Sequence, residues 1–111
     1  MTDKTDILWT VQDHDGNDIY LTQERWEHII NPINHPEMIG YERHLQETIK
    51  QGKRKQDSLN PQKYRYTMQF DDLPVDNTHI IAIVLFRYKV GEIGEPIRNN
   101  YIVTAYQKEI W

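Results

Sequence analysis

Three histidines, His28, His35 and His44, fall within RWEHIINPINHPEMIGYERHL, residues 25 to 45. Imidazole is the side chain that exchanges a proton near neutral pH. His35 precedes Pro36, a residue that suits the first position of a helix. Unpaired backbone N–H groups at a helix start attract anions. A histidine there can trade protons with a bound phosphate ester. On a helical wheel Trp26, Ile29 and Ile30 cluster together. His28 points roughly opposite, on the side of Glu24, so it is expected on an exposed face or at a site rather than in the core. Glu37 is explained well enough by the helix dipole.

Cations and polar strand residues come later. Between Lys50 and Arg65 lie Lys53, Arg54, Lys55 and Lys63, with only Asp57 opposing them. This pattern fits a solvated helix end and hairpin, or a phosphate-contacting patch. In YRYTMQF (64 to 70) the residues alternate. Tyr64, Tyr66, Met68 and Phe70 face one way, and Arg65, Thr67 and Gln69 the other. Arg87 interrupts an apolar strand, which places it at the strand end or facing a cleft. On the last strand Tyr101, Val103 and Ala105 make the better core set, leaving Asn100, Thr104 and Tyr106 outward. Together these residues form either an ordinary solvated sheet face or a surface able to hold a phosphodiester. In the second case arginine would neutralise charge on phosphorus, and threonine and tyrosine would hydrogen-bond its oxygens. Tyr64, Tyr66, Tyr88 and Tyr106 offer stacking surfaces for bases, or simply core.

Other chemistries are disfavoured. Cysteine is absent, which removes disulfides, thiolate metal sites and cysteine nucleophiles. The histidines match no metal-ligand motif, and the break at Pro32 separates the first two. No cofactor is implied. The net charge is -4 and the mean hydropathy -0.80. The longest apolar run, IIAIVLF (80 to 86), is far short of the roughly 20 residues that span a bilayer. MTDKTDILW has no signal-peptide pattern. A cytoplasmic protein without membrane contact is expected.

The elements that must position these groups fit one domain, residues 1 to 111. ILWTV (7 to 11) reads as a strand, and NDIYLT (17 to 22) as a return strand or lead-in. A helix capped by Thr22 runs to about Ile30 and stops before Pro32. A second opens at Pro36 and carries Met38, Tyr41, Leu45 and Ile49 as a buried stripe. Gly52 is a C-cap candidate. KRKQDSL (53 to 59) reads as a polar edge strand that a second copy could pair across a two-fold axis, giving a homodimer. Strands follow at 64 to 70, 79 to 90 and 100 to 110. The expected architecture is α+β, with two N-terminal helices on one face of a roughly four-stranded antiparallel sheet.

The order of these pieces resembles the phage-associated branch of the barnase, EndoU, colicin and RelE-like nuclease superfamily. The resemblance rests on Trp26, His28 and Ile29; on His35, Pro36 and Glu37; on Tyr64 to Tyr66; on Arg87; and on Val103 to Tyr106. It covers residues 19 to 107. It implies a barnase- or RelE-like fold and a metal-independent ribonuclease of the toxin, defence or mobile-element type. In such an enzyme the ribose 2′-hydroxyl attacks the adjacent phosphate, which needs a base, an acid and a cation. The resemblance nominates His28 or His35 for proton transfer, Arg87 as the cation, and Thr104 and Tyr106 for positioning. Lys53, Arg54, Lys55, Lys63, Arg65 and Thr67 would contact RNA. The implied partners are RNA, as tRNA or mRNA, and a cognate inhibitor protein. The sequence departs from the pattern in its longer NPIN joint (31 to 34), in arginine where lysine is commoner on the central strand, and in its acidic charge. The competing expectation is a module of the same fold that binds RNA or protein without catalysis.

Overall fold

The computed structural model of the protein describes residues 6–111. Strand β1 (Ile7–Gln12) turns at residues 13–17 into β2 (Asp18–Thr22). Helix α1 (Gln23–Ile29) begins where the Thr22 hydroxyl accepts the Arg25 N–H at 3.1 Å. A short 3-10 turn (Pro36–Met38) and helix α2 (Glu42–Gln51) follow. The chain then runs through β3 (Lys53–Gln56), β4 (Lys63–Gln69), β5 (His79–Val90) and β6 (Pro96–Lys108). The strands form one six-stranded sheet in the order β1-β2-β6-β5-β4-β3. Neighbours are antiparallel except β2 and β6, which pair in parallel at Ile19–Asn100 and Tyr20–Tyr101.

This overturns the four-stranded antiparallel expectation. The N-terminal hairpin is part of the sheet, and the helices are inserted between β2 and β3 rather than leading the chain. The second helix also starts later than expected. Pro36 opens only a 3-10 turn, and Gly40, at a φ of 84°, separates that turn from α2. Such a φ is easy for glycine and costly for other residues.

One face of the sheet is covered. Leu45, Thr48 and Ile49 of α2 are buried, as are Ile29 of α1 and Met38 of the 3-10 turn. Leu45, Ile49, Ile29 and Met38 cluster with Tyr66, Ile80, Ala82, Val84, Ile102 and Ala105. Removing these apolar surfaces from water is the main force holding the layers together. The sheet also curls strongly over this core. The β1–β2 turn reaches β3 and β4, strands at the other end of the sheet order. Tyr66 donates to the Asp13 carboxylate at 2.5 Å, and Arg54 pairs with Asp15 at 3.1 Å. Trp9 Nε1 donates to Glu42 of α2 at 2.8 Å, which ties the hairpin to the helix layer.

Strand β6 carries a bulge. Ile83 is opposite Thr104, but Val84 is opposite Ile102, so Val103 is the extra residue. A bulge resets the in–out alternation. Asn100, Ile102, Ala105 and Gln107 are buried, whereas Tyr101, Thr104 and Tyr106 are half-buried. The expected assignment of Tyr101 to the core and Asn100 to the outer face is thereby reversed.

Candidate nucleic-acid interface

The uncovered face belongs to the whole sheet, with Asp18 and Tyr20 on its β2 part, and its cations lie on β3 to β6. These strands contain no Asp or Glu. They hold Lys53, Arg54, Lys55, Lys63, Arg65, Arg87, Lys89, Arg98 and Lys108, nine of the chain's 13 Lys and Arg. An acidic protein has therefore gathered its cations into four adjacent strands. Register sorts them between the two faces. Lys55 is opposite Arg65, and Arg65 opposite Ile83, on the row that ends at Thr104. Lys53, Thr67, Ile81 and Tyr106 form the next row, and Lys63, Leu85 and Tyr101 the row on the other side. Lys55, Lys63, Arg65, Ile83 and Tyr106 line a hollow of ≈ 380 Å³ together with Gln56, Asp57 and Ser58. Asp57 stands 4.0 Å from Lys63 and is the acid at its rim. Its pKa is lowered, chiefly by hydrogen bonds from the Leu59 and Asn60 amides.

Arg54 is not part of this surface. It lies opposite Tyr66 on the covered side, 4.5 Å above the Tyr64 ring and 5.5 Å from that of Phe86. Its neighbours in sequence, Lys53 and Lys55, point the other way because strand residues alternate.

His35 reaches the border of the basic face. Strand β2 leaves β6 after Tyr101, and the segment 35–38 closes the edge that this exposes. Gln107 Nε2 donates to the Glu37 carbonyl at 2.8 Å, and the Gln107 N–H to its carboxylate at 3.4 Å. This docking holds the His35 ring 5.3 Å from the Tyr106 ring, tilted by 30°. His35 Nδ1 is 3.3 Å from the Glu37 carboxylate. The expected anion site at this helix start is absent. Pro36 has no N–H, the Met38 and Ile39 amides bond within the turn, and the Glu37 carboxylate stands beside it.

The other nominated groups lie apart. His28 is exposed in the last turn of α1. Arg87 is opposite Asn99, four residues along β5 from Ile83, or about 13 Å by strand rise. His44 belongs to a different region. It sits between Tyr41 and Phe70, with ring centroids 4.9 Å from each, and its Nε2 is 2.8 Å from Asp72. Its hydrogen bond lowers the pKa of the Asp72 carboxyl. Among the described residues no group of three or more His, Cys, Asp or Glu side chains could hold a metal ion. Nor is any helix there long and apolar enough to cross a membrane.

Lys89, Lys108 and Tyr101 belong to this face but were not singled out from sequence. The absence of acids across four strands is a signal that could have found the two lysines. Tyr101 was hidden by the bulge. Comparison of the chain with models of protein families, with curated proteins and with solved structures finds no match.

Proposed function

We propose that this protein binds RNA on the uncovered face of its sheet. The observation that carries this reading is the charge segregation: seven of the nine cations of β3 to β6, all but Arg54 and Arg98, fall on this face, and these strands hold no acid, in a chain of net charge -4. Such a face attracts a polyanion and releases its counterions. The half-buried aromatics Tyr101 and Tyr106 on the same face favour RNA over a featureless polyanion, because bases stack on aromatic rings. The test is an anisotropy titration of a labelled single-stranded RNA at two salt concentrations. Binding that weakens steeply with salt supports the proposal. No binding at low salt contradicts it.

A second reading, metal-independent ribonucleolysis, is favoured by His35. Its ring has a carboxylate partner on one side and Tyr106 on the other. In this form His35 is the base that takes the 2′-hydroxyl proton as that oxygen attacks phosphorus, solvent water protonates the departing 5′-oxygen, and Arg65 is the cation, with Thr104 and Tyr106 positioning the phosphate. His28 and Arg87 have no part in it. Its chemistry is that of the nuclease superfamily the sequence resembles, and it requires the basic face to bind RNA first.

A further inference from the structure

The long β5–β6 hairpin outruns its sheet. Strand β4 accompanies β5 only as far as Leu85, opposite Lys63. Strand β2 meets β6 only at Asn100 and Tyr101. Beyond these points Arg87–Val90 pair only with Pro96–Asn99. A free two-stranded hairpin is marginally stable in water. This one is braced at its base, where Tyr20 donates to Asn99 Oδ1 at 2.7 Å and Arg98 to Asn17 Oδ1 at 3.3 Å. Both braces come from the β1–β2 hairpin, so the arm is held in line with the sheet.

The arm continues the basic face. On β5, Ile83, Leu85, Arg87 and Lys89 share one side by alternation, at steps of about 6.7 Å. Arg65 and Lys55 lie on the Ile83 rung and Lys63 on the Leu85 rung. Arg87 and Lys89 supply the next two rungs themselves, and both are exposed. Neither has an ion-pair partner among the described residues. The result is a ladder of cations on four successive rungs, about 20 Å long. The arm's acids, Glu92 and Glu95, lie at its tip beyond the ladder, where Glu95 accepts the Ile93 N–H at 3.3 Å. An extended nucleic-acid strand repeats its phosphates at a comparable interval.

We infer that the β5–β6 arm is the second half of the RNA surface, and that the ligand is a single strand running along β5 from Lys55 and Arg65 to Lys89. This rests on the RNA-binding reading of the same face. It also gives Arg87 a role as a phosphate contact rather than a catalytic cation.

The test compares labelled single-stranded oligoribonucleotides of 2 and 12 nucleotides, the shorter able to cover only the two sheet rungs, together with a 12-base-pair RNA duplex. The proteins are wild type, the Arg87→Gln/Lys89→Gln variant and the Lys55→Gln/Arg65→Gln variant. The arm variant should bind the long strand about tenfold more weakly, with a salt slope lower by about 1.4, the value for two lost phosphate contacts. It should bind the short strand as wild type does, and the sheet variant should lose both. Long-strand binding unchanged in the arm variant, or a wild-type preference for the duplex, overturns the arm inference and leaves the basic face standing. No binding of any RNA by wild type overturns the reading beneath it as well.

Discussion

The Tyr66 hydroxyl donates to the Asp13 carboxylate at 2.5 Å, and so locks the first hairpin to a strand near the opposite edge of the sheet. Asp13 also accepts the Asn17 and Asp15 amides at 2.9 and 3.0 Å and the Asn17 side-chain amide at 3.0 Å. Burial alone would raise its pKa, but these bonds, that of Tyr66 foremost, hold it below the ordinary 3.8. The Tyr66 hydroxyl is driven the other way, by burial and by the carboxylate. This bond and the Arg54–Asp15 ion pair at 3.1 Å together fasten the first hairpin to β4 and β3.

Tyr66→Phe should therefore destabilise the protein by about 1.5–3 kcal/mol at neutral pH, the range for a hydrogen bond to a charged group. The pH dependence has a definite sign. A carboxyl whose folded pKa is depressed stabilises the fold above its unfolded pKa, and loses that contribution as pH falls through the folded value. Urea unfolding of both proteins should show the full difference above about pH 5 and a shrinking one on acidification below about pH 4. A difference that grows in acid would contradict this account of Asp13.

Gly52 joins α2 directly to β3. A Cβ added there would stand 2.9 Å from the Thr67 carbonyl oxygen and would clash with the backbone of Thr48. Its φ of -70° is open to any residue, so the constraint is space and not backbone strain. Gly52→Ala should cost about 1–3 kcal/mol, as overpacking does. A thermal melt within experimental error of wild type would show that the joint yields.

Ribonucleolysis at His35 predicts cleavage of a mixed tRNA and mRNA pool in EDTA. His35→Ala should slow that cleavage by about 10²–10⁴-fold, the usual share of a general acid or base. His28→Ala should leave it unchanged, because His28 is exposed on α1 and Asn34 bonds only its backbone carbonyl. Loss of activity in the His28 variant alone would relocate the site.

Much of the local structure was legible in the sequence. The alternation of YRYTMQF, the Leu45 and Ile49 part of the helical stripe and the Lys53–Gln56 part of the polar edge strand follow from side-chain period and composition. The sheet's extent was not legible. Parallel pairing of Ile19 and Tyr20 with β6 joins segments about 80 residues apart, and nothing local to either segment encodes it. The bulge at Val103 was equally hidden, since I-V-T-A reads as regular alternation until its partner strand is known. The basic face was half legible. Lys53, Lys55, Lys63, Arg65 and Thr67 share it, whereas Arg54, taken with them as one run, turns inward to Asp15 and the ring of Tyr64. A charge run on a strand divides between two faces, and only the register says which part is usable.

The central claim is that the uncovered face of β3 to β6 binds RNA. Its most direct test is anisotropy of a labelled single-stranded RNA with wild type, the Lys55→Gln/Arg65→Gln variant, and Arg43→Gln/Lys50→Gln, two exposed residues of α2, as a control for net charge. The account predicts salt-sensitive binding by wild type and the control, and a loss of about tenfold or more in the double variant, with a salt slope lower by about 1.4. Equal binding by all three, or none by wild type at low salt, would contradict it.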